Sequence, residues 1–216
     1  MRLKLFVALA AMSVLLGFVP AKSPAFDLPH IPKIPGLGGS QPAPGSVFQV
    51  APGILRGPQP STETLTALRN QGVKTIIDLR MSGPSTMKES HTCQKLGLNF
   101  VHIPMIFLKS PSKRDISQFL SLVENPANQP VFIHCMEGRD RTGAMVGMYR
   151  IHAQGWNADQ AYDEMKKMGF HTAFTVLADS VYEFGESVGR PGHRTAAIGL
   201  QNRVDRTLGL DTMSTN

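Results

Sequence analysis

With 216 residues, 42% of them hydrophobic, the chain holds enough apolar material for one packed domain with extensions, which excludes a disordered protein. Its net charge of +6 is no nucleic-acid footprint: the first 25 residues carry Arg2, Lys4, Lys22 and no acid, so the rest is only +3, and no Lys/Arg cluster is interleaved with aromatics. Two cysteines, Cys93 and Cys135, are too few for a disulfide scaffold and do not stand at zinc-site spacing.

In chain order, Arg2 and Lys4 precede an apolar run from Leu5 to Val19 and then small residues. That run is about 15 residues, short of the roughly 20 that span a bilayer as a helix. Residues 1–25 therefore read as a signal peptide cleaved near Ala21 or Ala25, and the protein is expected to be exported, periplasmic or secreted, with no stable membrane span afterwards. Residues 26–45, rich in Pro and Gly, form a linker, and the domain is expected over 46–188.

The domain opens with FQVAPGILRG, two short β-type runs split by Pro52 and Gly53. Ser61 caps a helix that has Leu65 and Leu68 on one face and stops at Gly72; VKTIIDLR follows as a buried strand. Thr86 and Glu89 form a capping box for a second helix ending near Gly97, ahead of the strand NFVHIPM. Ser112 and Asp115 repeat the capping pattern before a helix whose face is Ile116, Phe119, Leu120 and Val123, and after Pro126 and Pro130 comes the strand PVFIHC. Strands then cease. Asn157 caps a helix striped by Ala158, Ala161, Tyr162, Met165 and Met168, and a last stripe runs Phe174, Leu177, Val181, Phe184, Val188, while residues 189–216 lack a period and read as a flexible tail. The fold class is α/β: a central, mostly parallel sheet of about 4–5 strands flanked by helices, with an all-helical C-terminal part.

Between the last strand and the helix expected near Thr142 lies VFIHCMEGRDRTGAM. Cys135 at the C-terminal end of a buried strand stands where open α/β sheets present ligands. The backbone N–H groups of Met136, Glu137, Gly138, Arg139, Asp140 and Arg141, with the helix start, can converge on one anion. The same field, with Arg141 nearby, favours a thiolate, making Cys135 a nucleophile, and the planar guanidinium of Arg141 can grip two phosphate oxygens. Gly138 frees the backbone to turn, Gly143 lets the helix start pack closely, Thr142 can hydrogen-bond the sulfur, and His134 points to the opposite face and can hold the loop from behind. Taken singly, a cysteine ending a strand is a small buried hydrophobe and an arginine at a helix start is solvated; it is their joint register that points to chemistry.

HCMEGRDRTG resembles the H-C-x-x-G-x-x-R-[ST]-G signature of cysteine-dependent protein tyrosine and dual-specificity phosphatases. FQVAPGILRGPQPS, TIIDLR and NPANQPVFIHC extend the likeness to the plant and fungal atypical dual-specificity phosphatases and their bacterial relatives, over about residues 47–187. The resemblance implies a protein tyrosine phosphatase-like fold with Cys135 as nucleophile, Arg141 as phosphate clamp and no metal or organic cofactor. It also implies a phosphorylated protein, phosphoinositide or inositol phosphate as the substrate partner.

The loop that carries an acid in many relatives reads IFLKSPSKRD here, and its single acid, Asp115, is explained by capping Ser112. Asp140 is the preferred proton donor: the segment resembles the C-x-x-x-x-D-R-T loops of myotubularin-type lipid phosphatases, and like charge from a thiolate and a bound phosphate helps a carboxyl keep its proton. The alternatives are that Asp140 pairs with a base to fix the loop, and that Asp115 is the acid. Arg139 could grip a second phosphate, while Glu137 pulls the other way, since an acid at the rim repels polyanions unless it pairs with Arg139 or points outward. Cys93 is expected as a small buried residue on a helix, with a regulatory disulfide to Cys135 as an alternative. Two other functions are compatible with the loop, a phosphate-binding pseudophosphatase and a rhodanese-type sulfurtransferase; the latter's loop usually lacks the Arg-Thr-Gly ending.

Overall fold

The computed structural model describes residues 47–193. The expected signal peptide, the linker and the tail beyond His193 lie outside the described residues. Five strands form one sheet in the order β1-β2-β5-β3-β4. β1 (Phe48–Ala51) and β2 (Ile54–Gly57) are the antiparallel hairpin expected from FQVAPGILRG, turning through Gly53 at φ 75°. β5 (Val131–His134) lies between β2 and β3 (Thr75–Asp78), parallel to both, and β4 (Asn99–His102) pairs with β3 on the far edge. Every residue of β5 is buried, as a parallel strand covered on both faces requires.

Alternation along the strands makes two cores. Leu55, Ile76 and Phe132 face α1 (Thr62–Asn70) and α2 (Pro84–Leu96), where they pack with Leu65, Leu68 and Cys93. Ile54, Ile77 and Ile133 face α3 (Lys113–Glu124), α4 (Asp140–Gln154), α5 (Ala158–Lys167) and α6 (Thr175–Ser187). Ser61, Ser112 and Asn157 cap α1, α3 and α5 as expected, each accepting a backbone N–H three residues on. No helix among the described residues is long and apolar enough to cross a membrane.

Three details differ from the sequence reading. α2 starts at Pro84, which needs no N–H partner in a first turn; the Thr86 hydroxyl donates to Met81 O, and Glu89 is drawn into an ion network, so the two form no capping box. Val188 falls just past α6 and is 41% exposed, and Ala178 and Tyr182 complete the buried face instead. The expected tail does not start free at Gly189: Arg190 O accepts from Ala158 N, and His193 N donates to Asp159 Oδ2 at 2.7 Å, so the chain stays on α5 through His193.

Candidate active site

β5 delivers Cys135, 2% exposed, to the C-terminal edge of the sheet. α4 begins at Asp140, two residues before the expected start, so Asp140, Arg141 and Thr142 all stand in its first turn, where N–H groups lack intrahelical partners. The loop between is fastened through its carbonyls. Met136 O accepts from Gln59 N at 3.0 Å, Gly138 O from Arg56 Nη2 at 2.8 Å, and Cys135 O lies 3.1 Å from His134 Nδ1. With those carbonyls committed to the body, the N–H groups of the loop and of the helix start are what remain to meet an anion.

Gly138 is required twice over. Its φ is 70°, and a Cβ there would lie 2.3 Å from the backbone C and O of Gly57. Gly143 is different from expectation: a Cβ would meet Met165 Cγ at 3.5 Å and Arg56 Nη2 at 3.7 Å, which is ordinary contact, so close packing does not demand glycine.

Arg141 is half-buried, donating from Nη1 to Met105 O at 3.3 Å. It borders a depression of about 280 Å³ walled by Met81, Pro84, Phe107 and Met136. A larger depression of about 520 Å³ runs past Thr86, Gln94, Phe100 and His102; Cys135 lines neither, and only the smaller one reaches Arg141 and Met136, the residue after Cys135. The Thr142 hydroxyl is buried without a hydrogen-bond partner among the described residues. Arg139 is ion-paired with Glu137, which commits the guanidinium and at the same time neutralises the acid at the rim.

The two candidate acids are both engaged. Asp115 Oδ2 accepts from Ser112 N and Ser112 Oγ in a complete capping box, on a separate depression from Arg141. Asp140, buried at the start of α4, accepts from His171 N at 2.8 Å, and the His171 ring Nδ1 lies 3.0 Å from its Oδ2. His171 leans edge-on against Phe174, which in turn meets Phe107, tying the α5–α6 loop to the mouth.

Behind the loop, Asp78, Arg80, Glu89 and His134 make a buried ionic cluster. Arg80 donates to both Asp78 oxygens and to Glu89 Oε2, with Nη1 on Ser85 Oγ. His134 Nε2 is 2.7 Å from Glu89 Oε1, close but off the line of a hydrogen bond. Burial opposes the Asp78 charge, yet the hydrogen bonds and charge of Arg80, with His134, outweigh it and hold the carboxyl below its usual range. Burial likewise opposes the Arg80 charge, and Asp78 followed by Glu89 reverses that, raising its pKa. Asp78, Glu89 and His134 are close enough together to bind a metal ion, but Arg80 already supplies the cation that their carboxylates need.

Cys93 and Cys135 are both free thiols, and they pack into the cores on opposite faces of the sheet, so a disulfide between them is excluded by the sheet itself. Burial pushes the Cys93 thiol up to about 12, with Glu89 and Asp78 adding to the shift.

Arg56, Arg80, Glu89 and His171 are site residues that the sequence reading did not single out. A signal existed for Arg56, a charge inside the buried run ILRG. None existed for His171, 31 residues from its partner.

A mostly parallel sheet whose central strand hands a cysteine to a glycine-turned, arginine-closed loop defines the protein tyrosine phosphatase-like class. Residues 49–180, more than half of the chain, match the family described as a DSP-PTPase phosphatase fused to NAD+ kinase, and the chain belongs to that phosphatase family. It is 26% identical over 148 residues to the dual specificity protein phosphatase TpbA of Pseudomonas aeruginosa, covering 66% of this chain and 63% of TpbA. It is 34% identical over 111 residues to the inositol diphosphatase SIW14 of Saccharomyces cerevisiae, covering 51% of this chain and 32% of SIW14. The chain thus spans less than two thirds of the length of these curated relatives. The fold matches the crystal structure of the core catalytic domain of the PP-IP phosphatase SIW14 in complex with citrate, with a TM-score of 0.58 at 23% identity over 70% of this chain and 92% of that one.

Proposed function

We propose that the protein is a phosphomonoester hydrolase working through a cysteinyl-phosphate intermediate, with aryl phosphates such as phosphotyrosine preferred over inositol polyphosphates. The observation that carries the preference is the make-up of the mouth: Met81, Pro84, Phe107 and Met136 wall the approach to Arg141. The neighbouring cations are already matched, Arg139 by Glu137 and Arg80 by Asp78 and Glu89. Apolar walls favour a ring, and a cluster of phosphates would find at the mouth one guanidinium outside any ion pair where it needs several.

In the first half-reaction the Cys135 thiolate attacks phosphorus, an S–P bond forms, and the ester P–O bond breaks. Arg141 and the loop N–H groups hold the three non-bridging oxygens, and the leaving oxygen takes the proton of Asp140. In the second, water attacks phosphorus and passes a proton back to Asp140, the S–P bond breaks, and inorganic phosphate leaves; the Thr142 hydroxyl hydrogen-bonds the departing sulfur. The position of Asp140 immediately before Arg141 supports its role, and His171 orients its carboxyl. The intact Cys135, Arg141 and Thr142 speak against a pseudophosphatase, and the Arg-Thr-Gly ending against a sulfurtransferase. Arg2 and Lys4 ahead of the apolar run from Leu5 to Val19 support action after export.

The test is kcat/KM for a phosphotyrosine peptide against an inositol polyphosphate, on the full chain and on Cys135→Ser. The expected order puts the peptide first and leaves the serine variant inactive; the reverse order overturns the preference, and an active serine variant overturns the mechanism.

A further inference from the structure

Arg56 sits in the middle of the sheet, in register with Ile133, two residues ahead of the nucleophile. It is 0% exposed. Its side chain reaches under the first turn of α4, where Nη2 bonds Gly138 O, and its guanidinium carbon lies 5.3 Å from the Phe48 ring centre. Nε and Nη1 are buried and have no hydrogen-bond partner among the described residues. None of the ion pairs among the described residues includes Arg56; the carboxylate that helps it most, Glu164, is itself paired with Arg150. Burial pushes its pKa down to about 10, Glu164 and then Cys135 act against that fall, and Arg150 adds to it.

A buried cation with a single hydrogen bond is costly, and a protein that folds around one has lower-energy alternatives in an apolar side chain of the same length. We infer that Arg56 is a positioning residue and the buried counter-charge of the phosphate cradle: it fixes the Gly138 carbonyl, and its charge stabilises the Cys135 thiolate and a bound phosphate from the β2 side. This rests on Cys135 being the nucleophile of the proposed function. Other charged groups around the same point are Arg80 at the end of β3, Asp140, Arg141 and Arg150 on α4, and Glu164 on α5. Arg56 shares with Arg141 the lack of an ion-paired carboxylate among the described residues, and differs from it in being wholly buried.

The experiment compares the full chain with Arg56→Met and Arg56→Lys by three readouts. These are thermal unfolding, the stabilisation produced by inorganic phosphate, and the pH dependence of Cys135 alkylation by iodoacetamide. Arg56→Met should unfold within about 4 °C of the parent without phosphate, because the hydrogen bond lost to Gly138 O is offset by removal of a buried charge. It should lose the phosphate-induced stabilisation, and the alkylation profile should move to higher pH, slowing the reaction about tenfold at pH values below the parent's midpoint for each pH unit moved. Arg56→Lys should recover most of the alkylation rate.

Unfolding of Arg56→Met more than about 4 °C below the parent would make Arg56 a structural element and overturn the inference. So would an unchanged alkylation profile with unchanged phosphate stabilisation. Failure of the underlying mechanism looks different, with Cys135→Ser keeping its turnover whatever stands at 56.

Discussion

Arg80 and Arg56 are both buried arginines at the nucleophile strand, one on its β3 side and one on its β2 side. Arg80 is saturated, bonded to Asp78, Glu89 and Ser85, and its partners raise its pKa. Arg56 gives one bond to a carbonyl and its pKa falls to about 10. The difference separates two uses of a buried charge. Where the counter-ion is part of the chain, the charge ties elements together; where it is absent from the chain, the charge is available to a ligand.

The largest expected effect is on the saturated side. Arg80→Met strands two buried carboxylates and should cost about 3–5 kcal/mol in urea unfolding; a loss under about 1 kcal/mol would erase the contrast between the two arginines. On the β2 side, Gly138→Ala forces a left-handed residue against the Gly57 carbonyl and displaces the loop, and turnover should fall on the order of 100-fold as judged by kcat/KM.

The two sides also differ in their response to acid. Because the folded-state pKa of Asp78 is depressed, the unfolded chain binds its proton first as pH falls. The stability it contributes is complete above the ordinary aspartate value of about 4 and disappears as pH drops through the lower, folded value. Urea midpoints measured downward from neutrality should show that decline, and Arg80→Met should flatten it.

Thiol titration sharpens the comparison of faces. At mildly alkaline pH the native protein should take up one equivalent of reagent, at Cys135, and two in urea, because Cys93 is held near 12 behind the sheet. Gly143→Ala is the smallest effect: an ordinary contact and a better helix former should leave the melting temperature unchanged or raise stability by about 0.5–1 kcal/mol.

What could be read from the sequence was whatever is settled locally. Ser61, Ser112 and Asn157 find their N–H partners three residues on, and the alternation of β-branched runs with capped helices follows from neighbours in the chain. The same rule misfired at Thr86 and Glu89, where a buried arginine and histidine outcompete a local cap for the carboxylate. The strand order was not legible, because parallel pairs are joined only through long crossovers. Cys135 and Arg141 were legible as one contiguous motif. Arg56 showed only as a charge in a buried run, and neither its contact with the loop, across 82 residues, nor that of His171 with Asp140, across 31, was legible.

The contact between Gly57 and Gly138 also constrains the order in which the molecule is assembled. A loop propped by the first hairpin cannot take shape until the fifth strand has docked beside the second, which closes most of the domain into one long circuit. Anion binding should therefore return only with the last step of refolding, later than helical signal, and a fragment lacking its first strands should regain helices without regaining the ability to hold phosphate.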